Sequence, residues 1–134
     1  MKLFSYFFCS AYNAYNTSGS KPESTLRYSA ITLITVFQSL NIVSGVILIS
    51  FLTRKFVFPS WVILIITLLI FIYNHLYFTK SRSSILLKNY LLLNEFERKR
   101  NKIYLLVYKI FSFILVVFII VFSVYLKNQG ISLE

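Results

Sequence analysis

Aspartate is missing from this chain, and glutamate stands only at Glu23, Glu95, Glu97 and Glu134. Cysteine, histidine and tryptophan occur once each, as Cys9, His75 and Trp61. Each scarcity removes a class of chemistry. One cysteine closes no intrachain disulfide, and one cysteine with one histidine cannot fill a Cys/His zinc site. A Ser/His/acid or Cys/His catalytic arrangement lacks partners. Three glycines form neither a Walker loop nor a dinucleotide fingerprint. The expectation is a protein that is not an enzyme, with no catalytic residue, no cofactor and no metal. No carboxylate falls inside an apolar run, so the usual coupling group of a proton- or cation-driven transporter is absent from the sequence.

Charge is scarce overall, at 13% of the 134 residues, where soluble domains carry about 25%. Hydrophobic residues make up 57%, aromatics 19%, and the mean hydropathy is +0.73. A chain this short cannot bury so much apolar surface in its own core. Lipid is the natural solvent for the excess. The expected fold is an all-α integral membrane protein with three transmembrane helices behind a short amphipathic N-terminal helix.

The spans are read at about residues 28–52, 59–79 and 103–126. Each meets the roughly 20 apolar residues that a bilayer requires. Pro59 suits a first helical turn, where its missing N–H is not needed. Trp61 at one end of the second span, with Tyr73 and Tyr77 at the other, fits interfacial belts. Lys109 near the start of the third span is expected to snorkel to the nearer interface. Ser81 to Gln129 holds no Gly or Pro, which favours one continuous helix through the linker, 81–102, into the third span; the alternative is a bend near Arg98–Lys102.

The first 27 residues read as an amphipathic helix and a loop rather than as a cleaved leader. Lys2, Ser5, Cys9, Asn13 and Asn16 share one narrow helical face, so the helix lies at the interface or packs on the bundle. Ser24 or Thr25 is the candidate cap of the first span.

Orientation follows from the positive-inside rule. Lys2, Lys21, Arg27, Lys80, Arg82, Lys88, Arg98, Lys99, Arg100 and Lys102 lie on one side, against Arg54, Lys55 and Lys127 on the other. Ten against three puts the N-terminus inside and the short tail 127–134 outside. With a composition like that of an AT-rich bacterial genome, the expected location is a bacterial inner membrane.

Three features carry candidate function. The first is a basic cytoplasmic patch, Arg98, Lys99, Arg100 and Lys102, beside Glu95 and Glu97 at pairing distance along a helix. Its ordinary partner is a bilayer of anionic headgroups; a nucleotide or nucleic acid is the less favoured anion, since no Gly-rich cradle accompanies the cations. Upstream, Ile85, Leu86, Tyr90, Leu92, Leu93 and Phe96 gather on one helical face that wants a partner or the membrane surface. The second feature is His75, a candidate pH-sensitive group whose plainer reading is an interfacial hydrogen-bonder.

The third is a polar face inside the first span: Thr35, Gln38, Asn41 and Gly45, with Ser39 near its edge. Polar residues in a span face protein or water rather than lipid. Two readings stay open. The face packs against the other spans, with Ser44 and Gly45 permitting close approach, or it forms a self-association seam or pore lining.

The run Tyr6, Tyr12, Tyr15 followed by Gln38, Asn41 and Ile42 in "FQSLNI" resembles small uncharacterised three-span bacterial inner-membrane proteins. They begin with a Tyr-rich helix and carry an "LQxxNI"-like first span. The resemblance implies architecture only. The function expected first is a homo-oligomer forming a conduit or gated pore. The alternative is a non-catalytic accessory or anchoring subunit of a larger membrane complex.

Overall fold

The computed structural model describes residues 2–16, 19, 21–53 and 60–128. Within them the chain forms five helices and no strand. These are α1 (Leu3–Tyr15), α2 (Glu23–Thr53), α3 (Ser60–Tyr77), α4 (Lys80–Leu91) and α5 (Glu95–Asn128). Arg54, Lys55 and Pro59, with the positions from 129 onward, lie outside the described residues.

Two helices, α2 and α5, are long and apolar enough to cross a membrane. Helices α3 and α4 pass the same test only together, across a 73° bend, which raises the count to three if the pair is one span. At 1.5 Å per residue, α2 with 31 residues extends about 46 Å and α5 with 34 about 51 Å. The 18 residues of α3 reach about 27 Å. A hydrocarbon core is about 30 Å thick. The two long helices therefore have stretches to spare, and α1 and α4 pack near one end of the bundle.

Helix α2 is the centre of the structure, touching α1, α3 and α5. Helices α3 and α5 scarcely touch one another. The densest packing is around α1. Phe7, Phe8 and Cys9 pack with Ala30, Ile31 and Ile34 of α2, with Phe78, and with Leu105 of α5. Phe8 lies flat on Phe78, ring centroids 4.5 Å apart at 9°, and Phe7 meets Phe37 edge-on at 5.4 Å. Offset and edge-on aromatic pairs add roughly 0.5–1.5 kcal/mol beyond area burial.

This arrangement revises the face expected of α1. Ser5 and Cys9 are buried in the core, while Lys2 and Asn13 remain exposed. Both side chains are small, and a thiol packs as a small hydrophobe. Burial pushes the Cys9 thiol up from 9.0 to about 12.

The turn after α1 uses Gly19 in the left-handed region, φ 64°, with its N–H bonded to the Asn16 carbonyl at 3.2 Å. Helix α2 then starts at Glu23, and the Leu26 N–H reaches the Pro22 carbonyl at 3.2 Å. Ser24 and Thr25 thus sit inside the first turn rather than at the cap.

The linker departs most from expectation. The helix over 81–102 is divided, and the break falls at Leu92–Asn94, not at Arg98–Lys102. Asn94 makes it without help from Gly or Pro. Its Oδ1 accepts the Glu97 N–H at 2.8 Å, and its carbonyl accepts the Arg98 N–H at 3.0 Å. That is an N-cap with an acid three residues later, the capping-box spacing. Glu95 and Glu97 then occupy the first turn of α5, where negative charge is favoured. The break also rephases the apolar face. Leu86, Leu87, Tyr90 and Leu93 pack toward the core, while Ile85, Leu92 and Phe96 are exposed.

The α3–α4 bend is pinned from inside. Phe78 is anchored in the core, Ser83 Oγ donates to its carbonyl at 3.2 Å, and Thr79 Oγ1 accepts the Arg82 N–H at 3.4 Å. The Arg82 guanidinium lies over the Tyr77 ring, 3.7 Å from its centroid.

Candidate functional site

Residues three apart on a helix step by 300°, so Thr35, Gln38 and Asn41 wind gradually around α2. Thr35 and Gln38 meet α3. Asn74 Nδ2 donates to Thr35 Oγ1 at 3.0 Å and to Gln38 Oε1 at 2.6 Å. Asn74 is 2% exposed and Thr35 4%, so this is a buried junction between two apolar helices. Asn41 has turned toward α5, where the Tyr108 phenol stands within hydrogen-bonding reach of it. Its Oδ1 is covered and has no partner.

Gly45 does not join this cluster. A Cβ built on it meets nothing within 4 Å among the described residues, so the close backbone approach expected at Gly45 is not found among them. Ser39 and Ser44 are buried on the same helix, and Ser39 Oγ lacks a partner.

The gap between α3 and α5 opens over Gln38 and Asn41. It forms a cleft of about 530 Å³, walled by Ile42 from α2, by Leu69, Ile70 and Tyr73 from α3, by Tyr108 from α5 and by Phe4 from α1. Phe4 meets Tyr108 edge-on at 5.7 Å, which ties α1 to the rim. Lys109 follows Tyr108, but its ammonium lies over the Phe7 ring at 5.0 Å. The cation expected to snorkel is therefore engaged by α1.

His75 is next to the junction without belonging to it. Its ring stacks on Tyr28 at 5.3 Å and lies near Phe71 at 6.4 Å, and its Nδ1 is buried without a partner. The residue that joins the amide face is its neighbour Asn74. A single amide in the apolar run "LLIFIYNHLYF" was the available signal; which helix it would meet is a tertiary fact.

The basic patch is separate from the cleft. Arg98, Lys99, Arg100 and Lys102 stand exposed on the first turns of α5. Arg98 faces the Tyr90 ring and Arg100 the Phe96 ring, both at 5.9 Å, the outer limit of a cation–π contact. The Tyr6 hydroxyl donates to the Arg98 carbonyl at 3.3 Å. Burial, with Tyr90 beside it, pushes that phenol up to about 12 against the pull of Arg98. Tyr6 thus stays a neutral donor that ties α1 to the basic turn.

No protein family, curated protein or solved structure matches this chain. Among the described residues no group of three or more His, Cys, Asp or Glu gathers to hold a metal ion.

Proposed function

We propose that the chain is a non-catalytic integral membrane subunit that anchors or assists a larger membrane complex. One observation carries this reading: the two bonds from Asn74 tie Thr35 and Gln38 of the α2 polar face to α3 within the chain. A polar face already bonded between a protein's own helices is spent on its fold and is less available to line a pore. In this reading α2, α3 and α5 cross a bacterial inner membrane with the N-terminus inside. Helix α4 turns along the inner face, and the basic turn of α5 rests on anionic headgroups, at about 1 kcal/mol per basic residue near that surface.

Assembly then uses the outer apolar faces. Leu64, Leu68 and Leu76 of α3 and Phe111, Phe113 and Val121 of α5 are more than half exposed. Surfaces of that kind face lipid or a partner helix. Affinity purification from gently solubilised membranes tests the proposal. The expected result is another polypeptide at fixed stoichiometry, and liposomes that stay tight when the purified protein is reconstituted.

The conduit remains the second reading, favoured by the opening between α3 and α5, which a second copy could close. A partnerless homo-oligomer that conducts in planar bilayers would put it first. Gly45 separates the two as well. With open space at its Cβ, Gly45→Ala is expected to raise stability by about 0.5–1 kcal/mol through helix propensity. If Gly45 sits in a close seam between copies, the same change should disrupt the oligomer, which gel filtration in detergent reads directly.

A further inference from the structure

We propose that the cleft between α3 and α5 binds a neutral amphiphile with a hydroxyl head, the head lying between Gln38 and Asn41 and the apolar body along α3. The inference holds with or without a partner subunit, because the lining comes from one chain.

The argument begins with the orientation of Gln38. Its Oε1 is held by Asn74 Nδ2 at 2.6 Å, and Asn74 is itself buried and fixed by its second bond to Thr35. A side-chain amide has one acceptor end and one donor end. With the acceptor end turned into the α2–α3 junction, the donor end is what Gln38 offers to the cleft that it lines. A ligand there needs an oxygen that accepts.

One turn along α2, Asn41 presents the opposite demand. Its Oδ1 is covered and without a partner. Asn41 also lines the cleft, so a rotation of its amide about the last side-chain bond turns that oxygen toward a ligand, in exchange for its present contact with the Tyr108 phenol. A hydroxyl is a small group that accepts from Gln38 and still has a proton to give Asn41. An unmet buried acceptor is costly, so a donor that reaches it is favoured.

The remaining lining sets the rest of the molecule. Phe4, Ile42, Leu69 and Ile70 are apolar, and no charged side chain is among the lining residues. Phosphate and carboxylate heads therefore find no counter-charge. The volume of about 530 Å³ lies within the range of about 300–1,000 Å³ usual for small-molecule sites. A cleft walled by apolar side chains, with a few convergent polar groups, fits an amphiphile that arrives through lipid.

The test uses the full-length protein in neutral nanodiscs and three photoreactive probes of equal chain length: an alcohol, its methyl ether and the alkane. The alcohol should label peptides holding Ile42 and Leu69–Tyr73, at least tenfold above the alkane, with the ether between; one to two hydrogen bonds account for a factor of about ten. Gln38→Leu should bring the ether down to the alkane and lower the alcohol only partway, because its hydroxyl still has a proton to give Asn41. That change also takes an acceptor from Asn74, so Leu69→Trp serves as the second variant: it fills the cleft, leaves the amide junction intact and should block all three probes. Competition by a diacylglycerol or by a free long-chain alcohol tells which source of hydroxyl the site prefers, and failure of both to compete counts against the site. Equal labelling by alcohol and alkane in the wild type, spread over the exposed faces of α3 and α5, overturns the proposal without recourse to any variant.

Discussion

Asn74→Leu is expected to destabilise the folded protein by about 2 kcal/mol, a large effect for one side chain in an apolar segment. Asn74 makes two bonds between α3 and α2, at 3.0 and 2.6 Å. Interhelical hydrogen bonds in membranes average about 0.6 kcal/mol each and reach about 2. The bonds alone then give roughly 1 kcal/mol. The remainder comes from what is left behind. Thr35 is almost fully buried, and a buried hydroxyl without a partner costs about 1–3 kcal/mol. Part of that is recovered if Thr35 Oγ1 turns to the carbonyl one turn back, as helical threonines do. Gln38 recovers more easily, since it borders the cleft.

The check is unfolding in mixed micelles with a double-mutant cycle. Gln38→Leu and Asn74→Leu should be non-additive by about 0.5–2 kcal/mol, because each removes the same bond. His75→Leu serves as the neighbouring control. It loses ring stacking on Tyr28 but neither bond of the junction, and should cost less than about 1 kcal/mol. An Asn74→Leu chain as stable as the wild type would remove the amide junction as the organiser of α2 and α3, and with it the main support for the accessory-subunit reading.

How far the sequence foretells these features depends on the range of the interaction. The helical, membrane-type character follows from composition and from unbroken apolar runs, which are local. That Thr35, Gln38 and Asn41 turn inward is also readable, since lipid does not satisfy amides. Their partner is not readable, because Asn74 is 36 residues from Gln38 and only the α2–α3 packing brings them together. The break at Leu92–Asn94 was legible after all: Asn94 and Glu97 stand at capping-box spacing in "NEFE". The absence of Gly and Pro hides it, because a helix can also be divided by a residue that starts a new one. At Cys9 and Ser5 the helical wheel sorts by polarity, while the fold buries both beside Tyr6, Phe7 and Phe8. Gly45 is the reverse case, a small residue with open space at its Cβ among the described residues.

Phe8→Ala should be the more damaging change, at about 3–5 kcal/mol, the usual cost of emptying a phenylalanine site in a core. Phe8 is fully buried and lies against Phe78, and Phe78 fixes the bend between α3 and α4. Its removal loosens α1 and the bend together. Cys9, the next residue, reports the result. Its thiol is buried and pushed up to about 12, so at pH 8 a maleimide should react with it only when α1 opens. If opening is fast relative to labelling, the rate follows the open population, and 3 kcal/mol raises it by roughly 150-fold. The pH must be held below 9. A thiol that ionises near 9.0 when unfolded and near 12 when folded favours the folded state fully below pH 9, and that share is lost as pH climbs toward 12. At pH 8 the difference between Phe8→Ala and wild type is therefore a packing difference. Phe4→Ala, on the partly exposed side of α1, should move the rate far less. A Cys9 that labels as fast in the native protein as in denaturing detergent would show that α1 is not docked. The Tyr6–Arg98 tie, the Phe4 rim of the cleft and the Phe7 seat of Lys109 would then all fall with it, since each depends on α1 being held where Phe8 holds it.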